Sequence, residues 1–144
     1  MPVLRAMGAT VIPTGPLGSG HAMKALNNYV SAAGLVAACE ALLVGKAFGL
    51  TPDTIVDVLN ASTGRNNSTD VKLKPFVISG SFAAGFSLAL MAKDLRTAAD
   101  LAAYLGVNAA GVAAGAALWE DALASLGAAA DHTEIFRYLE GRGR

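Results

Sequence analysis

The sequence predicts an all-α fold: a multi-helix domain built around one long buried helix over about residues 19–48. Three observations carry this. Helical apolar spacing runs unbroken from about Ser19 to Phe48 before Gly49 stops it. The later periodic stretches close in turn at Gly64, Gly106 and Gly127. The one extended run, Val11-Ile12-Pro13, is too short to make a sheet.

Taken in order, Val3 to Met7 reads as the end of a helix stopped by Gly8. Val11-Ile12-Pro13 is closed by Thr14-Gly15-Pro16. A helix tail followed by one orphan strand suggests the edge of a larger α/β unit upstream, with Met1 as a truncation start. Ser19 is the expected N-cap of the long helix. About 30 residues make about 45 Å of helix, and one so apolar is expected between layers or subunits. Gly34 and Gly45 mark close packing along it.

Thr51 caps the next helix with Pro52 in its first turn, and it ends near Ser62-Thr63-Gly64. Arg65 to Asp70 is polar, a loop or a helix start. Lys74-Pro75-Phe76 through Ser87 reads as irregular, with glycines at 80 and 85. Helices follow over Leu88–Leu105 and about Asn108–Leu126. Asp131 or Thr133 caps a short last helix through Leu139, and Gly141 to Arg144 is expected to fray. The 30 alanines fall mostly on these helices and let them approach closely. The GxxxG of Gly111 to Gly115 fits close soluble packing better than a membrane dimer.

A length of 144 residues suits one domain with a real core. Eleven basic residues balance eleven acidic ones, which argues against an electrostatic nucleic-acid binder. At 53% hydrophobic and 15% charged the chain is too apolar for disorder. It is also apolar enough to expect a partner chain or a further domain against its surface. The single cysteine, Cys39, excludes an internal disulfide and reads as a buried thiol. No Cys/His cluster has metal-ligand spacing, and His21 and His132 have no partner motif, so no metal is expected. Tyr29–Gly45 carries Glu40 between Lys24 and Lys46, and Val107–Ala130 carries Asn108, Glu120 and Asp121. Both read as buried helices rather than membrane spans. The N-terminus lacks a basic region followed by a signal core, so a cytoplasmic protein is expected.

The chemistry concentrates at Gly15-x-x-Gly18-x-Gly20 and the helix after it. The order is not that of GxGxxG, the helix runs on without a second strand, and no Gly-Lys-Ser/Thr follows. Both phosphate-loop readings therefore fail. The glycines instead give a sharp turn that a ligand can approach. Lys24 and Asn28 are four apart and share one helix face. The positive end of the helix, with burial, would favour a neutral lysine amine able to exchange a proton. The Asn28 amide would hold the lysine or a substrate oxygen. Spacing alone describes a snorkelling lysine on a polar face better.

The segment GPLGSGHAMKALNN resembles the catalytic segment of the β-hydroxyacid dehydrogenase family, typified by 3-hydroxyisobutyrate dehydrogenase, whose pattern is GxxGxGxxxKxxxN. Gly85 to Leu95 resembles that family's F-x-L-x-L-x-x-K-D-L segment. The stretch from Gly127 to Ile135, with Asp131 and Thr133, resembles its closing helix start. The resemblance covers essentially the whole chain. It implies Lys24 as the catalytic lysine, exchanging a proton with the substrate oxygen. It implies Asn28, Gly20, Phe86 and Asp94 as substrate-side residues and Lys93 as a cofactor contact. Phe86 also reads as core, and Lys93-Asp94 as an exposed charge pair. Asn66 and Asn67 border the cleft or are simple loop polarity.

On this resemblance, residues 1–15 are the remnant of the end of a Rossmann domain and 16–144 the helical substrate and dimerisation domain. The GxGxxG domain and its Ser-Gly-Gly loop are absent from these residues. NAD or NADP is therefore expected in the full-length enzyme but not bound to this chain, which is expected to be inactive alone. The implied partners are a small hydroxy acid, an upstream Rossmann domain and further subunits in a homodimer or tetramer. The competing reading is a non-catalytic helical oligomerisation module from a truncated or split dehydrogenase. A third reading keeps the fold but changes the chemistry, as in the related imine reductases, and the intact Lys24-Asn28 pair argues against it.

Overall fold

A computed structural model describes residue 6 and residues 8–142. Six helices, α1 to α6, and two single turns follow one another, and no strand forms among the described residues. The one β-type pairing is an isolated antiparallel bridge between Ser87 and Asp131. Of the predicted helix tail over Val3 to Met7, all but Ala6 lies outside the described residues. Val11 to Pro13 joins no ladder.

Helix α1 spans Ser19–Phe48. Its N-cap is Gly18, at φ 93°, and not Ser19 as predicted; no side chain caps this end. The turn needs a left-handed residue there, which only glycine supplies cheaply, so Ser19 is already inside the helix. Gly49, at φ 104°, closes it and donates its N–H back to Gly45 and Lys46 carbonyls. α1 is long and apolar enough to cross a bilayer by length and composition alone. A core helix passes the same test, and α1 buries Ala25, Ala32, Leu35, Ala38, Cys39 and Leu42 against its neighbours. The opposite face, with Met23, Val30, Val44 and Phe48, stays exposed.

Helix α2, Pro52–Ala61, begins as predicted: Thr51 Oγ1 accepts from the Thr54 N–H at 3.3 Å. The polar stretch resolves into a short helix α3, Asn67–Val71, in which Asn66 and Thr69 form a reciprocal capping box. Leu73–Ile78 then makes one π-helical turn where the sequence suggested irregular chain. Buried Leu73 and Val77 hold it against the core despite Pro75. Helix α4, Leu88–Tyr104, is capped by Ser87 and is the central element, packed on both α1 and α5. Helix α5 is Ala110–Leu126, and Gly111 and Gly115 on it pass under Tyr29 of α1. A methyl group on Gly111 would meet the Tyr29 hydroxyl at 2.8 Å. The GxxxG thus receives an aromatic ring from within the same chain.

Asp131 caps a 3₁₀ turn, His132–Glu134, which leads into α6, Ile135–Arg142. α6 continues through Gly141 and Arg142, three residues beyond the predicted end at Leu139; Gly143 and Arg144 lie outside the described residues. The core runs through Leu35, Leu42, Val56, Leu73, Leu88, Leu95, Trp119 and Ile135. Burying such side chains stabilises by about 1.5–3 kcal/mol each. Cys39 lies in it as predicted, and burial, with Glu40 nearby, pushes its thiol up to about 12.

Candidate active site

The turn Gly15 to Gly20 aims the start of α1 so that Lys24 and Asn28, one turn apart, face α4. Gly15 and Gly18 both have left-handed φ, whereas Gly20 is an ordinary exposed residue of the first helical turn. Across from them α4 presents Lys93 and Asp94. The Asp94 side chain is 5% exposed, and three donors converge on it. Its Oδ2 accepts from Lys24 Nζ and from Asn28 Nδ2, the latter at 2.6 Å, while Lys93 Nζ stands 3.1 Å from Oδ1. Burial pushes the Asp94 carboxyl up, but the hydrogen bonds from Lys24, Lys93 and Asn28 outweigh it and hold the group below the usual carboxylate range.

Two expectations change here. The Lys24 side chain is 54% exposed, so the burial invoked for a neutral amine is missing, and its ammonium is held in an ion pair. Asn28 grips Asp94, the lysine's partner, instead of the lysine. Both amino acids are thus oriented by one buried oxygen.

Asn28 also borders a cavity of about 300 Å³ between α1, the α3–π-turn segment and the 84–91 stretch. Ser31, Lys72, Phe76, Phe86, Met91 and His132 complete most of its wall. Phe86 is half-buried and stands edge-on to the His132 ring, centroids 5.8 Å apart. The Asp131 carboxylate fixes this wall: it accepts from the N–H groups of Gly85, Phe86 and Thr133 and from the Thr133 hydroxyl. The His132 N–H closes the crossing by donating to the Phe86 carbonyl at 2.8 Å. Burial, then the charge of Lys72, lower the His132 imidazole below its ordinary range; Asp131 and the Phe86 carbonyl act the other way.

The structure therefore brings together Lys24, Asn28, Lys93 and Asp94, with Phe86 on the adjoining cavity wall. Gly20 does not line that cavity. Neither Asn66 nor Asn67 borders it: Asn66 spends its side chain capping α3 and packs against Gly34. Lys72, Ser31 and His132 were not singled out as site residues by the sequence. His132 followed the recognised Asp131 cap, but nothing local shows that this turn folds beside Phe86. A second, apolar groove of about 350 Å³ lies between α1 and α5, with Glu40 as its one charged lining residue. It holds no proton-transfer group positioned like Lys24. No cluster of three or more metal-ligating side chains occurs among the described residues.

A family model described as NAD-binding of NADP-dependent 3-hydroxyisobutyrate dehydrogenase matches residues 18–139. The 2-(hydroxymethyl)glutarate dehydrogenase of Eubacterium barkeri is 35% identical over 99 residues, covering 69% of this chain and 33% of that protein. The probable mitochondrial 3-hydroxyisobutyrate dehydrogenase of Arabidopsis thaliana is 38% identical over 111 residues, covering 73% and 32%. Among solved structures, the Mycobacterium tuberculosis 3-hydroxyisobutyrate dehydrogenase with L-serine superposes with a TM-score of 0.85 at 31% identity, covering 96% of this chain and 49% of that one. The chain thus spans about a third of the length of these curated relatives and about half of the solved one.

Proposed function

The chain belongs to the 3-hydroxyisobutyrate dehydrogenase family, and from that membership we propose that it is the helical C-terminal domain of an NAD(P)-dependent oxidoreductase. The reaction proposed interconverts a small 3-hydroxy acid and its oxo acid or semialdehyde. The two curated relatives are named for acids of this class. The observation that carries the reading is the convergence of Lys24 and Asn28 on one Asp94 oxygen beside a cavity.

In this reading Lys24 Nζ exchanges a proton with the substrate oxygen. It gives the proton to the carbonyl oxygen in reduction and takes it from the hydroxyl in oxidation. Asp94 keeps the ammonium on station, and Asn28 fixes the carboxylate that does so. Phe86 bounds the substrate side. The nicotinamide cofactor fits this chain only at its reacting end. Lys93 is more than half exposed beside Asp94 and suits a contact there, whereas the described residues offer no strand from which a dinucleotide turn would spring. When bound, that group supplies or accepts the hydride. The 144 residues by themselves are therefore proposed not to bind NAD(P) tightly or to turn substrate over. Residues 1–15 are proposed as the tail of the cofactor domain. The exposed apolar face of α1 favours a further role as a subunit interface in a homodimer or tetramer.

Replacement of Lys24 by Met in the enzyme that carries this chain with its cofactor domain should lower kcat by about 10²–10⁴. Substrate-dependent NADH or NADPH absorbance reads the effect. A variant with wild-type turnover refutes the assignment. The 144-residue chain alone should not shift NADPH fluorescence at micromolar concentrations, and saturable binding there would refute the division of labour.

A further inference from the structure

Lys93 is placed to do more than touch a cofactor. Two ammonium groups share one buried carboxylate at the head of the site. Lys24 reaches Asp94 Oδ2, and Lys93 stands 3.1 Å from Oδ1, so each cation holds one oxygen of a single charge. Neither pairs with a second carboxylate among the described residues, whereas Lys74 draws on both Asp53 and Asp57. An undivided ion pair with a buried carboxylate holds a lysine proton fast. That suits an anchor and hinders a group that must release its proton and take it back.

We propose that Lys93 is a positioning residue acting through Asp94: by occupying Oδ1 it divides the carboxylate's charge and so loosens the Lys24 proton for exchange. This rests on Lys24 as the group that exchanges a proton with the substrate. No other charge is placed to do the same. His21, exposed three residues earlier on α1, and Asp100, two turns beyond Lys93 on α4, pair with neither ammonium among the described residues. Arg96 is engaged by Glu120. Residues 8–18 carry no charged side chain, and neither do residues 110–118 of α5, which packs there through Val112 against Ala25. Two ammonium groups on the two oxygens of one carboxylate stand roughly 5–6 Å apart. For half-exposed groups at that separation, the second cation shifts a proton equilibrium about three- to tenfold.

Competitive labelling of the lysine amines in the 144-residue chain tests this. Trace acetic anhydride is applied from about pH 7 to 11 and read at each lysine by peptide mass spectrometry, with Lys46 and Lys74 as internal references. In Lys93→Gln, labelling of Lys24 at about pH 8, taken as a fraction of its own alkaline plateau, should fall about three- to tenfold below wild type. Lys46 and Lys74 should keep their fractions. Lys93→Arg, which keeps the charge, should retain the wild-type value at Lys24. The side chain is exposed and outside the core, so both variants should fold, with melting temperature as the check. An unchanged or raised fraction in Lys93→Gln, or a fall of equal size in Lys93→Arg, overturns the proposal. No substrate, cofactor or turnover enters the labelling, so it can fail while Lys24-dependent turnover stands, and the reverse.

Discussion

Asp94 is where single residues decide the site. A buried carboxylate is costly unless donors compensate it, and Lys24, Lys93 and Asn28 do so together. Asp94→Asn leaves two ammonium groups facing a neutral amide. It should cost about 1–2 kcal/mol in urea unfolding, less than a fully buried pair because both lysines are over half exposed, and turnover should fall with it. His132 sets a pH dependence. Its folded pKa lies below the unfolded value, so the unfolded chain takes up the proton first. The stability it confers is complete above about pH 6.5 and declines as pH falls from there toward the folded value. Melting temperatures between pH 7.5 and 5 should show that slope, and His132→Gln should flatten it. The four-residue spacing made Lys24 and Asn28 readable as one face. The partner that orients both lies on α4, 66 and 70 positions away, and only the family motif brought it into view. Lys72 meets Ser31 across 41 positions, a distance that no local pattern encodes.

At the scale of elements, the molecule is easiest to read where a helix end is written in side chains. Thr51-Pro52, Gly49 and Asp131 announce their caps by residue type alone. The start of α1 was misread by one residue because Ser19 is a good cap by type, while the backbone there needs the left-handed torsion of Gly18. The π turn was missed because Pro75 and sparse periodicity mask a segment held by burial of Leu73 and Val77. Asp131 is the element-scale clasp, tying the 85–88 crossing to the 3₁₀ turn. Asp131→Ala removes four accepted hydrogen bonds and should cost about 2–4 kcal/mol, measured by chemical denaturation. It should also free the Phe86–His132 wall, visible as faster amide exchange at Gly85 and Phe86.

For the molecule as a whole, the layers cover only one side of their longest helix. Met23, Val30, Val44 and Phe48 are each at least half exposed on α1. The sequence foretold excess apolar surface from composition, but could not say which face would carry it. Val30→Glu with Val44→Glu should leave the fold intact, because neither side chain is in the core, and should shift sedimentation toward a monomer. An unchanged sedimentation coefficient removes α1 from the proposed interface. The same molecule is electrically uneven. Its formal charge is zero, yet two lysines stand against one carboxylate at Asp94, while one lysine answers two carboxylates at Asp53 and Asp57. Neutral in sum, the chain holds a local excess of positive charge at Asp94 and a local excess of negative charge at Asp53 and Asp57. Anions in solution are drawn toward the Lys24–Lys93 pair, and the pull fades as ions screen it beyond about 10 Å at 0.1 M salt. That attraction is therefore salt-sensitive even for a protein that carries no net charge.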